Sequence, residues 1–186
     1  LQNFTINFSG KDIIDWENDY NLKEFPKNFP IDNKTLTGCL SLINLNVKNI
    51  TINAKNSSCE DTINFINSRG QVQNISIENS FSDALDIDFS KIDFNSIKVK
   101  NAINDCTDFS AGNYSIKKLN LLNCGDKGLS IGEKSIITLD KIFVTNSNIG
   151  IATKDSSYLN LDFAKMTQLK TCVSAYNKKQ EFMGGY

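Results

Sequence analysis

One short pattern returns along this chain at an interval of 22 residues, and no other feature limits the possible folds as tightly. Ile63-Asn64-Phe65 is followed at that step by Leu85-Asp86-Ile87, then Thr107-Asp108-Phe109, then Leu129-Ser130-Ile131. Each triplet reads in-out-in, the two-fold alternation of a strand with one buried face. A second column, Ile75/Ile77, Ile97/Val99 and Leu119/Leu121, keeps the same step. A third runs through Ile92/Phe94, Tyr114/Ile116 and Ile136/Thr138 to Tyr158. Short strands that cannot bury their apolar faces alone predict a solenoid in which each coil stacks on the last. The expected fold is all-β, a right-handed single-stranded parallel β-helix of about 22 residues per coil.

The punctuation between strands agrees. Asn79, Asn101 and Asn123 recur at 22 residues and Asn146 follows at 23. Asparagine tolerates the left-handed backbone region and can bond its copy one coil away. The one-residue slip predicts a bulge or insertion between Asp140 and Asn146. Beyond it, Ile149/Ile151 and Ile151/Thr153 are both candidates for the inward pair. Helical readings fail, because β-branched and aromatic residues dominate and Asn, Ser, Asp and Gly recur too often for a helix interior.

Residues 1–34 differ in texture and are expected to form an N-terminal strand and a capping or lateral loop. Within them, Gly10–Asp32 would shield unpaired backbone at the solenoid end, with a short helix starting at Asp12–Glu17 and a loop at Phe25–Pro30. Residues 35–186 are the β-helix, continuous with that segment, and Glu181–Tyr186 are expected to enter a further coil. The chain opens on Leu1-Gln2-Asn3-Phe4 without an initiator Met or a leader-like run, which reads as a processed or trimmed piece of a longer protein.

Several function classes drop out. The 20 Lys and Arg are interspersed with 21 acidic residues, for a net charge of -1, so no nucleic-acid footprint exists. No apolar run is long enough to predict a membrane-spanning helix. The chain has no His, which argues against transition-metal sites and His-based triads. Cys39, Cys59, Cys106, Cys124 and Cys172 are widely spaced and odd in number. They are read first as small buried thiols filling the core, with one or two disulfides as the alternative.

Stacking turns the repeat into a surface map, since residues one period apart sit about 4.8 Å from each other on one face. One outward ladder is Asn64, Asp86, Asp108, Ser130. Its neighbour is Asp61, Asp83, Asp105, Lys127, with Asp88 and Ser110 two residues beyond the first ladder. Asp83, Asp86, Asp88, Asp105 and Asp108 thus gather on two adjacent coils. Stacked like charges must be solvated, share a proton or be neutralised by a cation. Two functional readings follow: a Ca²⁺ site formed by those five aspartates, or acid–base chemistry on a glycosidic bond by Asp86, Asp105 and Asp108. The alternative is a solvated acidic turn whose carboxylates accept neighbouring backbone N–H groups. No cofactor is demanded, and Ca²⁺ is the one such a cluster would suit. Further along, Lys127, Glu133, Lys154, Asp155 and Tyr176 are expected to line one groove suited to sugar hydroxyls and ring faces, with ordinary charged turns as the alternative.

The strings Asp83-Ala84-Leu85-Asp86-Ile87, Asn123-Cys124-Gly125-Asp126-Lys127-Gly128 and Ile149-Gly150-Ile151-Ala152-Thr153-Lys154-Asp155 resemble coils of right-handed parallel β-helix repeat proteins. That group spans the pectate-lyase-like superfold and uncharacterised bacterial β-helix repeats. The resemblance covers roughly Thr35 to Tyr176. It implies a secreted or cell-surface bacterial protein that binds a polysaccharide or surface glycan, or processes one as a lyase, hydrolase or epimerase. The aspartate trio of polygalacturonases would match Asp86, Asp105 and Asp108 loosely, without the His that accompanies it there; pectate lyases rely on an arginine, and the sole arginine here, Arg69, lies at a turn before Gly70, with Lys91 as its copy. The other reading is a structural or protein-interaction solenoid without catalytic activity.

Overall fold

The computed structural model describes residues 1–11 and 36–186. Their strands run β1 (Thr5–Ser9), β2 (Gly38–Ile43), β3 (Asn46–Ser57), β4 (Asp61–Ile66), β5 (Arg69–Ser80), β6 (Asp83–Asp88), β7 (Lys91–Ala102), β8 (Thr107–Ser110), β9 (Asn113–Gly132), β10 (Ile136–Lys154) and β11 (Tyr158–Tyr176). Every pairing is parallel. β4, β6 and β8 stack in one column and β3, β5, β7 and β9 in another, and β9 closes the path by pairing with both β7 and β8. This is the right-handed parallel β-solenoid that the period predicts, with Ile63 opposite Leu85 and Leu85 opposite Thr107. The capping loop, the short helix and the loop expected within Gly10–Asp32 fall, beyond Lys11, outside the described residues.

The inward positions build a continuous column. Phe65, Phe94 and Phe109 are 2% exposed or less. Their rings meet edge to face, with centroids 6.3 Å and 6.2 Å apart, and Tyr114 extends the series 4.9 Å from Phe109. Burying each aromatic is worth roughly 2–3 kcal/mol, so stability is distributed along the axis rather than held at one centre.

The corners are set by amides. Asn56, Asn79, Asn101, Asn123 and Asn146 all adopt φ between 56° and 64°. Each Nδ2 from Asn79 onward donates to the Oδ1 one coil before, at 2.8–3.0 Å. At a second corner Ser68 and Ser135 donate their backbone N–H to Ser90 and Ser157 Oγ one coil on. Between those rungs Gly112 stands where a serine would, because a Cβ there would meet Tyr114 Oη at 2.2 Å. The Tyr114 hydroxyl fills that rung, donating toward the Ser110 and Ile87 carbonyls.

Two expectations need correction. The extra residue does not enter between Asp140 and Asn146. Gly132 still pairs with Ser110 at a step of 22, whereas Ile136 pairs with Asn113 at 23. The insertion therefore lies in the turn Glu133-Lys134-Ser135, where two successive residues take positive φ, 58° and 62°. It is undone between Ser147 and Ile149, opposite Gly125-Asp126. A slip of one residue exchanges the faces of a strand. The inward pair of that coil is accordingly Ile137 and Leu139, both fully buried, not Ile136 and Thr138; Ile136 is 51% exposed and Tyr158 53%. Past the bulge, Ile151 and Thr153 face inward, opposite Leu129 and Ile131.

The cysteines pair, contrary to the first reading. Cys39 bonds Cys59 and Cys106 bonds Cys124, leaving Cys172 exposed as a thiol. Cys106 and Cys124 both point into the core with Cα atoms 5.3 Å apart, within the span a disulfide bridges. At the other end, Tyr186 donates its N–H to the Ser157 carbonyl and accepts the N–H of Leu159. The final residue thus enters register beside Tyr158, as expected of a further coil.

Candidate functional site

The strand that opens each coil carries its polar residues away from the hydrophobic column in two ladders, in which Asp61, Asn64, Asp105 and Ser130 are themselves buried. Asn64 on β4 lies opposite Asp86 on β6, Asp86 opposite Asp108 on β8, and Asp108 opposite Ser130 on β9, with Ala152 next on β10. Asp61 lies opposite Asp83 at the edge of the same strands.

The edge ladder is spent on backbone. Asp83 Oδ1 accepts the N–H of Asp105 and the Nδ2–H of Asn104, each at 2.7 Å. Asp105 Oδ1 accepts the N–H of Lys127 at 2.9 Å, and both its oxygens lie 3.3 Å from Lys127 Nζ. Lys127 ends the ladder by pairing with Asp126 as well. Burial is the main reason the carboxyls are pushed up, Asp83 to about 8, Asp61 to about 7 and Asp105 to about 6, with neighbouring aspartates adding to it. Asp105 is the lowest of the three because Lys127 pulls it down. For Lys127 burial favours the neutral amine, yet Asp105 and Asp126 outweigh it and hold the ammonium.

The central ladder is different. Burial, then the charges of Asp61, Asp88 and Asp108, push Asp86 up to about 10, so it keeps its proton at neutral pH. It shares a hydrogen bond with Asp88, itself raised by burial, and accepts Asn64 Nδ2 at 2.7 Å. Lys154, on β10 two rungs beyond Asp108, is only 5% exposed. Its ammonium crosses the ladder to donate to Ser130 Oγ at 2.7 Å and lies 3.8 Å from Asp108 Oδ2. The small Ala152, at the position copied from Ser130, leaves space for that reach. Two buried acceptors on this ladder have no hydrogen-bond partner: Asn64 Oδ1 and Asp108 Oδ1. Read along the axis, the ladder runs from a buried unpartnered acceptor on Asn64, through the Asp86 carboxyl bonded to Asp88, to a second buried acceptor on Asp108 and the Lys154 ammonium, with Asp86 and Asp108 partly exposed.

The sequence brings Asp83, Asp86, Asp88, Asp105 and Asp108 onto adjacent rungs, but they do not converge. Among the described residues no three acidic, Cys or His side chains form a metal-ligating group. Ca²⁺ takes six to eight oxygens, and here Oδ1 of Asp83 and of Asp105 is turned to N–H groups, so the five carboxylates do not converge on one ion.

Nor do Lys127, Glu133, Lys154, Asp155 and Tyr176 line one groove. Lys127 and Glu133 lie just outside opposite ends of the rung Leu129–Gly132. Asp155 is 1% exposed and gives Oδ1 to the N–H groups of Lys178 at 2.7 Å and Lys179 at 2.8 Å, while Glu133 pairs with Lys179. Tyr176 ends β11 opposite Lys154. Glu133 and Asp155 fasten the C-terminal chain to the last corner, Lys127 belongs to the edge ladder, and of the five only Lys154 joins the central one. Its crossing to Asp108 was signalled in the sequence by the small residue Ala152 in a polar column.

Fold and site together define a right-handed parallel β-solenoid with a mixed donor and acceptor face on its first strand column. Comparison with protein-family models, curated proteins and solved structures finds no match, so nothing ties the chain to the pectate-lyase-like families.

Proposed function

We propose that this chain is a glycan-recognising solenoid module of a secreted or surface protein, with the Asn64–Asp86–Asp108–Ser130 ladder as its sugar-binding face. The observation that carries the reading is the pair of buried, unpartnered acceptors, Asn64 Oδ1 and Asp108 Oδ1, one on each side of Asp86. Such atoms cost free energy and are rare in native proteins unless something fills them. Sugar hydroxyls donate as well as accept, and the partly exposed Asp86 and Asp108 are the points at which the ladder can be reached from outside. Two disulfides support an oxidising compartment. Among the described residues no helix is long and apolar enough to cross a membrane.

The test is a glycan array followed by calorimetry on the retained glycan. Asp108→Asn replaces one carboxylate oxygen by a donor and should weaken binding tenfold or more, with the fold unchanged by circular dichroism. An array without signal, or equal affinity in the variant, would sink the reading.

Acid–base processing of a polysaccharide is the second reading. It is favoured by the contrast between Asp86, which holds a proton at neutral pH, and Asp108 one rung away, which faces an ammonium. Asp86 would protonate the leaving oxygen, Asp108 would act as base or nucleophile, and Asp105 would steady the edge. Release of reducing ends that disappears in Asp86→Asn would favour it over recognition alone.

A further inference from the structure

The turn that leaves the opening strand of each coil has a column of its own. Asn44, Asn67, Phe89 and Ala111 all adopt left-handed φ, between 46° and 56°. Asn67 Nδ2 donates to Asn44 Oδ1 at 2.7 Å, the amide ladder suited to this backbone. At the next rung the ladder stops, and a phenylalanine, Phe89, takes the strained position and is 64% exposed. A bulky residue at positive φ is an outlier that points toward function.

Immediately after this column, Arg69 and Lys91 begin the next strands in register, one strand spacing of about 4.8 Å apart. Both are exposed, and neither forms an ion pair among the described residues. With Asn44, Asn67, Phe89 and Asn113 they line a depression of about 570 Å³, within the range of ligand sites. It continues into a second of about 380 Å³ that shares Arg69 and Lys91 and adds Lys48 and Asp93. Three cations against one carboxylate make this groove positive on a chain of net charge -1, around the corner from the aspartate ladders.

We propose that this corner groove is a second, separate binding site, for a saccharide chain bearing anionic groups. The Arg69 fork and the Lys91 ammonium hold the anion, the Phe89 ring packs on a sugar face, and the amides of Asn44, Asn67 and Asn113 take hydroxyls. The site does not depend on the aspartate face, because its charge is of the opposite sign.

Dextran, carboxymethyl dextran and dextran sulfate share one backbone and differ in charge, so the test is calorimetry of the disulfide-intact chain with each at 0.15 M salt. Binding of a charged dextran with no heat from the neutral polymer is expected, and which charged form binds names the anion as carboxylate or sulfate. Arg69→Gln and Lys91→Gln should each lower affinity tenfold or more, whereas Lys141→Gln, an exposed cation elsewhere, should leave it unchanged. Phe89→Asn extends the amide ladder, so it should melt higher than the parent yet bind fivefold or more weakly. Equal binding of neutral and charged dextran, no binding of any, or full affinity in Arg69→Gln and Lys91→Gln would overturn the proposal. Asp108→Asn reports on the other face alone and should not alter these affinities.

Discussion

Asp83→Asn should remove one of the contributions by which this chain weakens with rising pH, leaving those of Asp61, Asp86 and Asp105 in place. Burial, reinforced by Asp105 and Asp61, raises the Asp83 carboxyl to about 8 in the folded state, against about 4 when unfolded. The folded state therefore binds the proton more tightly. The stability linked to it is fully present below about pH 4 and is lost as the pH climbs through the folded value near 8. Between those limits the loss is about 1.4 kcal/mol per pH unit, or roughly 3 kcal/mol from pH 5 to 7.5 by the same linkage. At about 2–4 °C per kcal/mol for a chain of this length, that corresponds to roughly 6–12 °C of melting temperature. The asparagine keeps an oxygen for the Asp105 N–H and Asn104 Nδ2–H and has no proton to lose. Calorimetric melting of parent and variant at half-unit pH steps, disulfides intact, measures the difference. Parallel curves, or a parent that gains stability over this range, would refute the burial argument.

Asp86→Asn should extend the effect to higher pH, since burial sets its folded value near 10, and the difference from the parent should still grow between pH 8 and 9. Lys154→Met leaves Asp108 without its ammonium and Ser130 without its donor, and denaturant titration should show a cost of about 3 kcal/mol. Adding Asp108→Asn to that variant should recover most of the loss. Reduction of Cys39–Cys59 and Cys106–Cys124, whose partners are 20 and 18 residues apart, should each cost about 3 kcal/mol, read as a lower midpoint in reductant or in the paired Ala variants. Asn101→Ala removes both bonds of a middle rung at φ 63° and should cost about 2 kcal/mol by the same titration.

The architecture was legible because the repeat is a physical requirement. Parallel coils must keep a constant step for Ile63, Leu85, Thr107 and Leu129 to stack, so the step is written in the sequence. The slip was legible as a fact but not as a place. Asn146 shows that one residue has been gained since Asn123, and nothing in that count says where. The turn Glu133-Lys134 carries it, where two successive left-handed residues fit a corner, and β10 takes up the opposite shift at Ser147–Ile149. Disulfides escaped the sequence because they join different sides of a coil, at separations unrelated to its period. The Asp ladders were placed correctly, but their chemistry depends on atoms the period does not index. Backbone N–H groups meet Asp83 and Asp105, and Lys154 comes from two rungs away.

Departures from the repeat are therefore the better guide to function than the repeat itself. An Asn column costs little and stabilises each corner, and the chain keeps one through Asn56, Asn79, Asn101, Asn123 and Asn146. At the other corner it starts the same device with Asn44 and Asn67, then gives it up for an exposed Phe89 beside Arg69 and Lys91. On the opening strand it keeps polar residues through Asn64, Asp86, Asp108 and Ser130, then drops to Ala152, and the gap is filled by Lys154. Both breaks raise the local free energy, one as backbone strain and the other as a buried cation. Selection for stability alone would remove them, since Asn at 89 or an apolar side chain at 154 with Asn at 108 would be cheaper. The two breaks fall on faces of opposite charge, which fits the proposal of two distinct ligand contacts on one solenoid.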